Sequence, residues 1–92
     1  MSYRIVFTES YNKKVSKWLK KHAVLRDQYL KTLQLIELDV NHPSLRLHKL
    51  SGRLSGLSSV SVNMSYRITL ELMIQDGDIV LINIGSHDEV YK

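Results

Sequence analysis

The spacing of apolar residues changes period partway along the chain, and the change divides it into two halves. Residues 3–8, Tyr-Arg-Ile-Val-Phe-Thr, read as a first strand. Thr8-Glu-Ser-Tyr11 then gives a helix start, with Thr8 or Ser10 as the cap. Tyr11, Val15, Trp18, Leu19 and His22 recur at helical spacing, and Lys13, Lys14, Lys17, Lys20 and Lys21 fill the polar face between them. A second helix is expected over residues 24–39, with Leu25, Tyr29, Leu33 and Ile36 as its stripe. It should stop at Asn41-His42-Pro43, because the residue before a proline disfavours helical geometry. The join near His22–Val24 is short, so the two helices should form an antiparallel hairpin.

Beyond Pro43 apolar residues alternate with polar ones. Leu45 to Leu50 reads as a strand with Leu45 and Leu47 on one face and Arg46 and His48 on the other. A loop with Gly52 and Gly56 leads to a strand over residues 57–62, with Val60 and Val62 inward. Asn63-Met64-Ser65 is a turn. From Tyr66 to Ile74, Ile68, Leu70, Leu72 and Ile74 face one way and Arg67, Thr69 and Glu71 the other. Gln75-Asp76-Gly77-Asp78 signals a hairpin. Ile79 to Ile84 is apolar on both faces, which predicts a central strand. The order is strand, helix, helix, four strands. It predicts an α+β domain spanning residues 1–92, with the helix hairpin on one face of a mainly antiparallel sheet.

Composition narrows the function classes. Without cysteine, disulfides, thiol chemistry and cysteine-based zinc sites are excluded. None of the four histidines are paired at short metal-ligand spacing, so neither metal nor cofactor is expected. The chain has no long apolar run and no signal-peptide pattern, so no membrane association and a cytoplasmic location are expected. The net charge of +4 is unevenly spread. Residues 1–53 carry a balance of +7 and residues 54–92 one of −3, which points to a polyanionic partner such as RNA, DNA or the ribosome.

The closing stretch, Gly85-Ser-His-Asp-Glu-Val-Tyr91, fits two descriptions: the polar tail of a core strand, or a site delivered by that strand. Four side chains are candidates, each with a plainer alternative. His48 could simply face solvent, Arg67 could pair with Glu71, His87 could cap the strand end, and Tyr91 could anchor the terminus. Taken together they suit metal-independent RNA cleavage. That reaction needs a base for the 2′-hydroxyl, an acid for the 5′-oxygen and a cation on the phosphorane. Histidine serves as acid or base near neutral pH, arginine matches phosphate geometry, and an aromatic ring stacks on an unpaired base.

The chain resembles the RelE/ParE superfamily of toxin–antitoxin toxins over essentially its whole length. The matching features are the element order, the basic first helix, Leu47-His-Lys-Leu-Ser-Gly52, Tyr66-Arg-Ile68 and Gly85-Ser-His-Asp-Glu-Val-Tyr91. The last of these is the most specific; Tyr-Arg-Ile recurs across branches. The YafQ-like RelE branch is the most similar, with a histidine before Leu-x-Gly, a second after Gly-Ser, and an aromatic four residues later. The resemblance implies a ribosome-dependent mRNA endonuclease that acts in the A site and is neutralised by a cognate antitoxin, acidic where it binds and partly disordered alone. It implies His87 as general acid, His48 as base, Arg67 on the scissile phosphate and Tyr91 on the nucleotide. Lys13, Lys14, Lys17, Lys20, Lys21, Arg46, Lys49 and Arg53 would contact RNA backbone. The ParE branch, which poisons DNA gyrase without hydrolysing nucleic acid, is the alternative, and the His87–Tyr91 ending argues against it. One departure stands out. YafQ-like toxins carry another histidine and an acid near residues 61–65, where this chain has Ser-Val-Asn-Met-Ser. Either His48 and His87 suffice, or Glu89 or Asp88 contributes, or activity is weak.

Overall fold

The computed structural model describes residues 3–91, and a five-stranded sheet in the order β1-β5-β4-β3-β2 forms its frame. The strands are β1 (Arg4–Phe7), β2 (His48–Lys49), β3 (Ser58–Ser61), β4 (Tyr66–Met73) and β5 (Asp78–Ser86). β1 runs parallel to β5, and the other pairings are antiparallel. β5 is flanked on both sides, as its two-faced apolar sequence predicts. The helix hairpin carries the chain from β1 across to β2 at the opposite edge, and the antiparallel strands bring it back to lie beside β1 as β5.

α1 (Glu9–Lys21) begins where Thr8 Oγ1 accepts the Tyr11 backbone N–H at 3.0 Å, so of the two expected caps Thr8 is the one used. Glu9 in its first turn and Lys20 and Lys21 in its last complement the helix dipole. His22 caps its C-terminus and lies against Trp18, at a ring distance of 5.0 Å, and Tyr66, at 4.6 Å. α2 is shorter than expected. Residues Ala23–Leu25 form a 3-10 turn that leaves Val24 exposed, and the helix proper is Arg26–Leu38. Tyr11 and Tyr29 tie the helices together through buried hydroxyls 2.9 Å apart, and burial raises the pKa of both phenols.

Both helices cover the sheet face formed by Val60, Ile68, Leu70, Ile79, Leu81 and Ile84, all of them buried with Tyr11, Trp18 and Ile36. A bulge in β5 shapes this face. Leu70 pairs with Leu81 but Thr69 pairs with Asn83, so Ile82 is an extra residue. The parity of inward residues therefore switches from 79 and 81 to 84. Gly85 then shares the outer face with its partner Arg67. Without the bulge, Gly85 would face the helices and the chain would leave the strand on the wrong side.

Several expectations need correction. The strand expected over residues 45–50 is reduced to His48–Lys49. Pro43–Leu45 forms a 3-10 turn instead, with the Ser44 N–H bonded to His42 Nδ1 at 3.1 Å. Arg46 then adopts a left-handed conformation at φ 51°, so it precedes the strand and does not share a strand face with His48. Ile74, expected inward, is exposed in a 3-10 turn (Ile74–Asp76) that replaces the tight hairpin, and Gly77 closes that turn at φ 70°. The polar ending is no tail. Residues His87–Val90 form a third helix, α3.

Candidate functional site

On the sheet face away from α1 and α2, strand register sets two rows of side chains. One row runs His48, Ser59, Thr69, Asn83, and the next runs Ser61, Arg67, Gly85. Ser59 and Thr69 are buried although no long helix lies over them. α3 packs back onto β4 and β5, and Tyr91, just beyond it, reaches Ser59.

A four-residue helix has no stability of its own, so its position must come from contacts. Ser86 and Glu89 provide a reciprocal cap. Ser86 Oγ accepts the Glu89 N–H at 3.3 Å, and Glu89 Oε1 accepts the Ser86 N–H at 2.8 Å. The Ser86 backbone bond is the main cause of a Glu89 carboxyl held below the ordinary range, followed by the Ser86 side chain, with Lys21 and His22 adding to the effect. Gly85 permits the close fold-back, because a Cβ there would meet Glu89 Cβ and Oε1 at 3.1 Å. Val90 is buried, and Tyr91 reaches past it into the sheet.

The Tyr91 hydroxyl donates to Ser59 Oγ at 2.8 Å and lies 3.5 Å from His48 Nε2. His48 Nδ1 is 3.2 Å from the Arg46 carbonyl. That carbonyl can only accept, so Nδ1 carries a proton and, in the neutral ring, Nε2 keeps a lone pair. Arg46 thus serves the cluster through its backbone, while its guanidinium side chain is exposed. The His87 ring meets Tyr91 edge to face at 4.3 Å, and the Asp88 carboxylate lies 3.6 Å from His87 Nδ1 at an exposed position. Arg67 Nη1 donates to Ser61 Oγ at 3.0 Å and makes no ion pair with Glu71 among the described residues. Ser61 is one of the positions where a further acid–base residue would have been expected. Here it orients the arginine.

The structure thus brings His48, His87 and Tyr91 into contact and sets Arg67 on the adjoining row. Next to them a groove of about 340 Å³ is lined by His48, Lys49, Leu50, Arg53, Leu54 and Tyr91. The helix lysines lie elsewhere. Lys14, Lys17 and Lys21 line a second groove of about 290 Å³ with His22, Asn83 and Glu89. Lys13 and Lys20 line the outer side of α1. Sequence reasoning missed Ser59, Ser61 and Ser86. The Ser86-His-Asp-Glu89 spacing is a readable capping signature. Ser59 and Ser61 gain their roles only from cross-strand register, which no local pattern reports.

No protein-family model matches the chain, and no curated protein matches it by sequence. Solved structures do. The E. coli DinJ–YafQ toxin–antitoxin complex contains a chain similar at TM-score 0.77 and 17% identity, with all of both chains covered. The YoeB/ParE toxin from Agrobacterium tumefaciens matches at TM-score 0.74 and 14% identity, covering 91% of this chain and 98% of that one. The RelBE2 toxin–antitoxin complex from Mycobacterium tuberculosis matches at 0.64 and 18%, covering 95% and 100%. At these identities the likeness speaks to the fold, and the chain has the α+β fold of the RelE-like toxins.

Proposed function

We propose that residues 1–92 form a toxin domain of a type II toxin–antitoxin system, acting as a metal-independent endonuclease on mRNA in the ribosomal A site. The observation that carries this reading is the contact of His48, Tyr91 and His87 beside a nucleotide-sized groove, with Arg67 on the same sheet face. In the reaction His48 Nε2 takes the 2′-hydroxyl proton. The 2′-oxygen bonds to phosphorus as the P–O5′ bond breaks, and protonated His87 gives its proton to the departing O5′. The products are a 2′,3′-cyclic phosphate and a 5′-hydroxyl. Arg67 holds the phosphate oxygens as charge builds on them. The single Tyr91 hydroxyl proton is committed to Ser59, so Tyr91 positions the nucleotide and does not transfer a proton.

The basic surface supports a polyanionic partner. Lys13, Lys14, Lys17, Lys20 and Lys21 are exposed along α1 and would meet ribosomal RNA backbone, as would Arg46. The DinJ–YafQ and RelBE2 toxin–antitoxin complexes support a cognate antitoxin, and an acidic segment on it would complement these cations. Expression from a tight promoter followed by mapping of mRNA 5′ ends tests the reading. Cleavage of translated mRNA and growth arrest are expected, and His87→Ala should lower cleavage about 10²- to 10⁴-fold. Full cleavage by His87→Ala would overturn the mechanism. Inhibition of DNA supercoiling without RNA cleavage would assign the chain to the gyrase-directed branch.

A further inference from the structure

Among the described residues, Arg46 is the one non-glycine residue with a positive φ, at φ 51° and ψ 46°. A residue with a Cβ is disfavoured there, so its surroundings have to impose the conformation. A short proline turn does so. Pro43 opens the 3-10 turn with a fixed φ and no N–H to satisfy. The Leu45 N–H bonds to the His42 carbonyl at 2.9 Å, and the Arg46 N–H to the Pro43 carbonyl at 3.2 Å. The Ser44 N–H bonds to a side chain, His42 Nδ1, at 3.1 Å. Buried Leu45 anchors the turn in the core. His42 is anchored as well, because its own N–H bonds to the Asp39 carbonyl at 2.9 Å, just past α2.

What the disfavoured conformation achieves is the direction of a carbonyl, which ψ sets. At ψ 46° the Arg46 carbonyl meets His48 Nδ1 at 3.2 Å, whereas an extended residue, at ψ about 135°, would turn it roughly 90° away. Two histidines thus use the same ring atom in opposite ways. His42 Nδ1 accepts the Ser44 N–H, so it carries a lone pair; His48 Nδ1 faces a carbonyl, so it carries a proton. In an imidazole, the hydrogen bond at one nitrogen decides what the other can do. We infer that His42 and Arg46 are positioning residues for His48. The His42 ring closes the proline turn, the turn holds Arg46 left-handed, and the Arg46 carbonyl fixes His48 as the Nδ1–H tautomer with its Nε2 lone pair exposed. The use of that lone pair as a base rests on the nuclease reading above; the tautomer does not. Neither residue has to touch RNA for this, and the exposed Arg46 guanidinium keeps its separate proposed contact with ribosomal RNA.

The test reads the tautomer directly and then its effect on rate. Imidazole ¹⁵N resonances of the full chain are recorded at about pH 8, above the ordinary range of histidine titration. His48 should carry its proton on Nδ1 and His42 on Nε2. His42→Asn keeps a side-chain acceptor for the Ser44 N–H, as an Asx turn does, and should keep the His48 tautomer. His42→Leu removes the acceptor and should leave His48 a mixture of tautomers. Glycine accepts the left-handed conformation and a β-branched residue resists it, so Arg46→Gly should keep the tautomer and Arg46→Val should lose it. In cleavage of translated mRNA, His42→Leu should lower kcat about two- to tenfold at unchanged KM, and His42→Asn should restore it. Both Arg46 variants should raise KM through the lost cation, but only Arg46→Val should also lower kcat. A His48 proton on Nε2 in the unaltered protein would overturn the proposal. An unchanged tautomer in Arg46→Val would remove the carbonyl's role, and one in His42→Leu would remove that of His42. If His42→Leu does not fold, the comparison of Arg46→Gly with Arg46→Val and the unaltered tautomer still decide. The expected tautomers in a protein that cuts no RNA would retain the positioning and refute the nuclease reading. An unchanged kcat in a variant that has lost the tautomer would refute the positioning role and leave the nuclease reading intact.

Discussion

The same strands carry two unlike faces. On one, Val60, Ile68 and Leu81 lie under two helices of thirteen residues each. The other face carries Ser59, Ser61, Arg67 and Thr69, and the helix that packs back on β4 and β5 has four residues. The first face is apolar, continuous and supported by many contacts. The second is polar and held by a few identifiable ones: the Ser86–Glu89 cap, buried Val90, and the Tyr91–Ser59 hydrogen bond. Folding free energy should therefore reside on one side of the sheet and chemistry on the other. Alternation along β3 and β4 makes this separable one residue at a time.

The largest expected effect tests the apolar face. Ile68 is fully buried between Val60 and Ile84. Ile68→Ala should cost about 2–5 kcal/mol in chemical denaturation, a large share of the ~5–15 kcal/mol available to a domain of this kind. A cost below about 1 kcal/mol would mean that stability is not concentrated under the helices. Its neighbour Arg67 points the other way and is half-buried. Arg67→Ala should lower RNA cleavage about 10²- to 10³-fold, the loss typical of removing a transition-state charge donor. The denaturation midpoint should scarcely move. A variant that unfolds as Ile68→Ala does would show that the two faces are not independent.

This division explains what the sequence reveals and what it conceals. The apolar face was legible because its signal is local. The stripe of Tyr11, Trp18 and Leu19 and the alternation of Ile68, Leu70 and Leu72 each report burial within a few residues. The polar face was legible only as candidates. His48, His87 and Tyr91 lie far apart in sequence, and their meeting depends on β2–β3 register, the Ile82 bulge and the α3 fold-back. The Arg46 error has the same origin. Alternation of Leu45, Arg46, Leu47 and His48 looks like a strand, but the proline turn before it sends Arg46 into a left-handed conformation. There its carbonyl, not its charge, reaches His48.

A smaller effect concerns how α3 stays docked. The Glu89 carboxyl titrates below its ordinary value because the charged form accepts the Ser86 N–H. A group whose pKa is depressed on folding contributes stability above its unfolded value, about 4.3 for glutamate, and loses it as pH falls through the folded value. Tyr91 and Val90 resonances should therefore begin to shift below about pH 4, with the helix-face core still intact. Glu89→Gln keeps a hydrogen-bonding amide at the same place, so it should retain α3 at neutral pH and flatten this dependence. If the Tyr91 resonance is constant down to about pH 2, Glu89 is not what holds the helix.

The smallest effect offers the closest comparison, because it uses two adjacent serines. Ser58 pairs with Leu70 on the helix side, and Ser59 pairs with Thr69 on the outer side. Both are buried. Ser59 accepts the hydroxyl proton of Tyr91, and this leaves the Nε2 lone pair of neutral His48 free for the proposed base role. In Ser59→Ala the acceptor left within reach among the described residues is His48 Nε2 at 3.5 Å. Tyr91 would then compete with the 2′-hydroxyl for the base. The expected loss is about two- to tenfold in cleavage, the scale of one neutral hydrogen bond. Ser58→Ala should leave the cleavage rate unchanged, whatever it does to stability. Equal losses in the two variants would mean that Ser59 acts only by filling space, and that the His48 base is not protected by the hydrogen bond beneath it.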